Sequence, residues 1–303
     1  MFIESQQPRC HGLSIDVEEW FHILECGQTQ PVTCWSKLDS RVNRNTEHVL
    51  NILDRYGVHA TFFVLGWVAK QHPTVIQQIC ERGHQLGSHG YTHVMVSHMK
   101  PDEFAKDLDM SLTAISQAAN KDVLAYRAPG FSITNAHLWA FEILASQGIK
   151  IDSSLFMGSH AHGGISLDRD SPFEIVLPSG KRLIEVPIVS LSILKKQIPF
   201  SGGGYLRLLP TPVVKKMFKL AEGRGSTLTV YVHPRDFDLY QPRMKLSPTR
   251  YFKYYVGLNG FSKKFEELLA SFKFDSLENV TKNIRFSETF SLETPFEDKQ
   301  SIS

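Results

Sequence analysis

Short apolar stretches alternate with amphipathic ones along the first 240 residues, and each apolar stretch runs into a polar residue that a buried strand has no use for. Leu13-Ser14-Ile15 leads to Asp16, His84-Gln85-Leu86 to His89, Val123-Leu124-Ala125-Tyr126 to Arg127, Ile149-Lys150-Ile151 to Asp152, and Thr227–Val232 to His233. Between them, Arg41–Tyr56 carries Val42, Val49, Leu50 and Leu53 at helical spacing before Gly57. Pro73 opens a helix that stops at Gly83, and Pro101–Ala119 aligns Phe104, Leu108, Leu112 and Ile115 on one stripe. Val58–Leu65 reads as a buried strand, and Thr134 caps a helix running to Gln147. This alternation predicts an α/β domain with a mostly parallel sheet. In a β/α barrel the strand ends converge on one face, where active sites are built, so polar residues in this phase predict one shared site. The pattern changes at Glu174–Pro187, a hairpin about Ser179-Gly180. Ser201-Gly202-Gly203-Gly204-Tyr205 is expected as a flexible loop before a helix from Thr211 to Glu222.

Composition narrows the classes. The 303 residues can bury a large core, and a formal charge of +2 gives no push toward nucleic acid. The longest apolar run, Ala60–Ala69, is about half of what a membrane span requires. Met1–Pro8 has neither the basic nor the apolar region of a signal peptide, so a cytoplasmic protein without a transmembrane segment is expected. Cys10, Cys26, Cys34 and Cys80 lack Cys-x-x-Cys spacing; reduced thiols are expected, with a bridge among the first three left open.

The chemistry concentrates in two places. Gly87-Ser88-His89-Gly90-Tyr91-Thr92-His93 sets two imidazoles four residues apart beside glycines that let the backbone bend around a bound group. Such a pair suits a divalent ion such as zinc but needs a carboxylate from elsewhere to complete its shell. Asp16-Val17-Glu18-Glu19 places three acids within four residues at a strand's end. Buried carboxylates are costly unless paired or bound to a cation. The plainer alternative is an acidic loop in which Glu18 and Glu19 stabilise a helix N-terminus.

Asp16-Val17-Glu18, Ser88-His89-x-x-x-His93, Arg127-Ala128-Pro129 and His233-Pro234 together resemble, in order and spacing, the NodB-type polysaccharide deacetylases of carbohydrate esterase family 4. The resemblance covers roughly residues 10 to 240. Gly202–Pro210 and Gln241-Pro242-Arg243 are similar to the subgroup found with bacterial exopolysaccharide and exosortase gene clusters. It implies a distorted (β/α)7 barrel over 1–240; beyond it, a helical pattern through Phe265, Leu268 and Leu269 predicts a C-terminal extension packed on the barrel over 241–285, and polar composition a flexible tail over 286–303.

By that resemblance Asp16 is the general base, and Glu18, His89 and His93 hold zinc, with cobalt, nickel or manganese as alternatives. Arg127 pairs with Asp16, the Gly130 N–H meets the oxyanion, and His233 protonates the departing amine. Asp152 and Asp236 are candidates to orient His233, or to cap turns. His22, Tyr91 and Tyr205 are candidate substrate contacts with a core or surface role equally open. Family members open with adjacent aspartates, whereas this chain has Asp-Val-Glu-Glu, so Glu19 stays an alternative ligand to Glu18.

The implied substrate is an N-acetylated glycan or lipid-linked saccharide of an exopolysaccharide or cell-surface pathway, met at the cytoplasmic face of the inner membrane. The basic, aromatic segment around Tyr251–Tyr255 and Lys263–Lys264 is a candidate for membrane-surface contact, with simple packing on the domain as the alternative. Two other functions are kept open: an amide hydrolase of the same fold acting on a formamido sugar or small cyclic amide, and a glycan-binding module without catalysis.

Overall fold

A computed structural model of the protein describes residues 9–24, 31–157, 171–188, 190–193, 196–282, 284, 286 and 289–292. Twelve strands occur among the described residues: β1 (Cys10–Val17), β2 (Thr61–Val64), β3 (Gln85–Ser88), β4 (Ala125–Tyr126), β5 (Ile151–Asp152), β6 (Phe173–Val176), β7 (Arg182–Glu185), β8 (Ser190–Ile193), β9 (Lys196–Pro199), β10 (Thr229–Val232), β11 (Lys273–Asp275) and β12 (Thr289–Ser291). The helices are α1 (Val32–Trp35), α2 (Val42–Tyr56), α3 (Gly66–Gln71), α4 (Pro73–Glu81), α5 (Pro101–Ala119), α6 (Trp139–Ser146), α7 (Gly203–Leu208), α8 (Thr211–Gly223), α9 (Pro248–Tyr255), α10 (Phe261–Leu269) and α11 (Leu277–Lys282).

Seven strands run parallel in the order β10-β1-β2-β3-β4-β5-β7, the distorted β/α barrel expected. β6 adds antiparallel to β7, with Ile175 opposite Leu183, which is the hairpin read from the sequence. A parallel sheet is covered on both faces, and β1 shows it: seven consecutive residues, His11 to Val17, are buried. One apolar cluster joins β1, β2 and β10 to the inner faces of α2, α4, α8 and α10. A second lies under α5 and α6 and includes Phe104, Leu108, Phe141 and Leu144. Inside the barrel, Phe63, Ala125, Ile151, Val186 and Leu277 form a small apolar plug below the strand ends.

Several expectations shift. The strand expected over Val58–Leu65 is confined to Thr61–Val64, because Gly66 starts a six-residue helix, α3. Thr134 does act as a cap, accepting from Ala136 N–H, but of a single 3-10 turn preceding α6. Ser201–Tyr205 is not a plain loop: Ser201 O accepts from Tyr231 N–H, Gly202 bridges to Tyr231, and α7 begins at Gly203. After β10 the chain continues through α9, α10 and α11; α10 joins the large apolar cluster, and β11 enters the sheet by pairing with Cys10–Gly12 at the start of β1. Within the tail expected over 286–303, Thr289–Ser291 pairs with β6, and residues 293–303 lie outside the described residues. Cys10, Cys34 and Cys80 are free thiols, and Cys26 lies outside the described residues. No helix among the described residues is long and apolar enough to cross a membrane.

Candidate metal centre and active site

The two-residue period of β1 sorts its acids. Asp16 and Glu18 face the barrel mouth together, while Val17 turns into the outer core. Glu19 turns away to the N-terminus of α2, where its carboxylate accepts from Ser40 Oγ–H and from the Arg41 and Val42 N–H groups, the last two at 2.9 and 3.1 Å. It therefore serves α2 as a borrowed N-cap. Glu18 is left as the carboxylate beside the histidines.

The turn that carries the imidazoles is pinned from outside. His89 N–H donates to Val64 O, Gly66 N–H and Ser111 Oγ–H both donate to Gly90 O, and Trp67 N–H donates to Tyr91 O. Gly90 takes φ 76° and His93 takes φ 59°. For a histidine that left-handed backbone costs about 1–2 kcal/mol, so the surrounding hydrogen bonds hold His93 in place against its own preference.

Glu18 Oε1 lies 3.3 Å from His89 Nε2 and 3.0 Å from His93 Nε2. All three residues are buried. Two ligands at about 2.0–2.1 Å from one tetrahedral ion stand about 3.3–3.4 Å apart, close to these spacings. His89 Nδ1–H donates to Arg127 O at 2.7 Å, so a neutral His89 turns its Nε2 lone pair toward Glu18. His93 Nε2 is enclosed and has no hydrogen-bond partner. Lone pairs aimed at a carboxylate repel it unless a proton or a cation sits between, and this donor set fits a divalent ion such as zinc. Burial pushes the Glu18 carboxyl up, yet the imidazoles of His93 and His233 outweigh it and hold it well below the usual range.

Beside this cluster stand two charge pairs. Arg127 is fully buried and all three of its guanidinium nitrogens donate: Nη1 to Asp16 Oδ1 and Ser14 Oγ, both at 2.8 Å, Nη2 to Ser153 Oγ, and Nε to Ser153 O. It also lies 4.3 Å from the Phe63 ring centre. The Arg127 guanidinium thus touches Asp16, while its carbonyl holds His89 Nδ1. His233 turns Nε2 toward Asp16 Oδ2 at 4.0 Å and Glu18 Oε1 at 3.7 Å, and its Nδ1 meets Asp236 Oδ2 at 3.1 Å. Burial lowers the His233 pKa, but Glu18 and Asp236 more than offset that and raise it. Asp236 is in turn held by Arg207 Nε at 3.1 Å; burial pushes its carboxyl up, and Arg207 and His233 draw it well below the usual range. Arg207 Nη1 also donates to Tyr254 O and Val256 O at the end of α9, tying the C-terminal segment to the His233 side of the site. Gly203 allows this closeness, since a Cβ there would run into Asp236.

Of the remaining candidates, Asp236 orients His233 and Asp152 does not. Asp152 is fully buried and accepts from Ser154 N–H and Oγ–H, and it pairs across the sheet with Glu185, whose carboxyl burial and the Asp152 charge push well above the usual range. His22 is no surface contact: it is buried among Phe21, Trp35 and Trp67, and its Nδ1 accepts from Glu19 N–H. Tyr91 packs against Gly66 and lines an outer groove between α3, α4 and α5 with Lys70 and Met110. Tyr205 stays on the surface of α7, 37% exposed. Gly130 occupies the positive-φ position, 64°, of the turn Pro129–Phe131 that follows Arg127. Three neighbours escaped the sequence reading: Tyr231, Arg207 and Arg235. Tyr231 was within reach of it, since it lies two residues before His233 on the same face of β10.

Residues 27–149, which include both histidines and Arg127, match the family model described as Polysaccharide deacetylase. Asp16, Glu18 and His233 lie outside that deacetylase-family match, and residues 153–282 match a model described as a domain of unknown function, DUF3473. The chain is 30% identical over 111 residues to a bifunctional xylanase/deacetylase of Pseudobutyrivibrio xylanivorans, covering 36% of this chain and 18% of that protein. It is 29% identical over 91 residues to a peptidoglycan-N-acetylglucosamine deacetylase of Bacillus cereus, covering 30% of this chain and 42% of that one. The chain thus spans less than half the length of these curated relatives. A putative polysaccharide deacetylase from Mycobacterium smegmatis shares the fold, with a TM-score of 0.63, 18% identity and 97% of each chain covered. PuuE allantoinase does so at a TM-score of 0.59 and 13% identity, over 90% of this chain and 88% of that one.

Proposed function

We propose that the protein is a metal-dependent hydrolase that removes the N-acetyl group of an amino sugar in an exopolysaccharide or other cell-surface glycan. The observation that carries this reading is the meeting of an arginine-anchored carboxylate, Asp16, and a carboxylate-backed imidazole, His233, beside one Glu-His-His cluster.

A divalent ion held by Glu18, His89 and His93, zinc first and cobalt, nickel or manganese after it, would supply Lewis-acid polarisation and lower the pKa of a water toward about 7. Arg127 occupies Asp16 Oδ1, which leaves Oδ2 free to take a proton from the water that attacks the amide carbonyl carbon. The Gly130 N–H is the chain's donor for the developing oxyanion. His233, with Nδ1 committed to Asp236 and its pKa raised, carries on Nε2 the proton that the departing amine takes up. Acetate and the free amino sugar leave. The match to DUF3473 is compatible with the exopolysaccharide setting, and a short or lipid-linked saccharide at the cytoplasmic membrane face is the substrate form we favour.

The test is acetate release from N-acetylglucosamine oligosaccharides by protein reconstituted with zinc. Asp16→Asn should keep zinc stoichiometry and lose at least about 100-fold in turnover, the lower end for a general base; unchanged turnover would remove Asp16 from that role. Hydrolysis of a formamido sugar or small cyclic amide, with none of the N-acetyl sugars, would replace the substrate assignment. Tight glycan binding with neither metal nor turnover would make the chain a binding module.

A further inference from the structure

Arg235 follows the His233-Pro234 turn and is 8% exposed. Its Nε is enclosed and makes no hydrogen bond. The nearest carboxylate, Glu18 Oε2, stands 3.8 Å away, beyond hydrogen-bond reach. The guanidinium lies 5.0 Å from the Tyr254 ring centre, and Gln241 Nε2–H holds the Arg235 carbonyl at 2.7 Å, so both ends of the residue are fixed. A buried donor left unmade is costly, and a cation kept that way beside a reaction centre calls for an acceptor that arrives with a ligand.

Charge counting says what kind. Asp16 is neutralised by Arg127 and Asp236 by Arg207. That leaves Glu18 facing Arg235. A divalent ion on Glu18 would leave +1 there and free the +1 of Arg235; apart from the proton that His233 passes to the amine, these are two positive charges with no carboxylate left to offset them. One suits the oxyanion formed at the amide; the other has no counterpart in a neutral N-acetyl sugar.

We propose that Arg235 is an anion-binding residue of the site, taking a carboxylate or phosphate group borne by the substrate near its N-acetyl group. This rests on the amino-sugar reading above and narrows it to an acidic or phosphorylated amino sugar. The planar guanidinium binds such groups through two parallel N–H donors; Arg127 spends its donors on Ser14, Asp16 and Ser153, and Arg207 turns Nη1 and Nη2 to the main-chain carbonyls of Lys253, Tyr254 and Val256.

The test reads binding, not turnover, so its failure is separable from failure of the deacetylase reading. Zinc-loaded protein carrying Asp16→Asn is titrated calorimetrically with N-acetylglucosamine, N-acetylmuramic acid and N-acetylglucosamine 1-phosphate. At least one of the two anionic sugars should bind about tenfold or more tighter than the neutral one, and which one does so identifies the source of the charge. Adding Arg235→Gln should erase the preference while zinc stoichiometry and affinity for the neutral sugar stay unchanged; Arg235→Lys should restore part of it. Equal affinities for all three sugars overturn the proposal. So does a preference that survives Arg235→Gln, with zinc affinity falling instead, since Arg235 would then serve only to hold Glu18.

Discussion

Replacing Arg127 with methionine isolates the pairing that holds Asp16. Methionine keeps much of the apolar stem and removes the guanidinium, leaving Asp16, 2% exposed, without its cation. Breaking a buried pair by removing one partner costs about 3–5 kcal/mol, chiefly through the uncompensated charge. Loss of the bonds to Ser14 Oγ, Ser153 Oγ and Ser153 O adds about 1 kcal/mol each if nothing replaces them. A fall of about 6–8 kcal/mol is therefore expected, read as a drop in urea midpoint at unchanged slope. Adding Asp16→Asn removes the stranded charge, so the double variant should be more stable than Arg127→Met alone, with a coupling of about 2–3 kcal/mol in the cycle. Turnover should vanish in all three variants while zinc stoichiometry survives, because no metal-cluster atom touches the guanidinium. An Arg127→Met protein within about 1 kcal/mol of the parent, or strictly additive effects, would refute the account of Arg127 as the holder of Asp16.

The adjacent glutamates should separate cleanly. Glu18→Gln should cut zinc stoichiometry by metal analysis, whereas Glu19→Gln should leave zinc bound and lower stability by about 1 kcal/mol through the weakened cap of α2; the reverse pattern would exchange their roles. His84 predicts acid sensitivity away from the site. Its Nδ1 accepts from Ala60 N–H, and burial, aided by His59, lowers its pKa from 6.5 to about 4. Between those values the unfolded chain binds more protons than the folded one. Stability is therefore intact above about pH 6.5 and falls by about 3 kcal/mol as pH drops to 4. His84→Asn, which keeps an acceptor at the Nδ1 position, should flatten that slope in pH-dependent unfolding; an unchanged slope would discard His84 as its source.

The outline of the barrel was legible because its strands are apolar, bounded by turns and in phase with the polar residues that follow them. Asp16, Glu18, His89, His93, Arg127 and His233 meet at one mouth for the reason their positions suggested: each ends or follows a parallel strand. Partners set by tertiary contact were not legible. Asp236 reaches His233 within one turn, accepting from its N–H three residues away, and a glycine at 203 lets Arg207 of α7 close on that carboxylate, while Glu185 of the hairpin claims Asp152. For His22 the choice between substrate contact and core stayed open because its apolar surroundings, Trp35 and Trp67, come from separate helices. β11 and β12 are three residues each, too short for any period to show, and only pairing with β1 and β6 makes them strands.

The order of assembly follows from where β1 sits. Its hydroxyl at Ser14 bonds to Val230, 216 residues later in the chain, and its first residues wait for β11 beyond that. The Glu18–His89–His93 cluster draws on β1, β3 and the Ser111 and Arg127 contacts that hold its turn, whereas His233, the Asp236 that backs it and the Arg207 that fixes Asp236 all come later in the chain. A chain folded only as far as Arg127 would therefore carry the three clustered side chains without the imidazole that faces them.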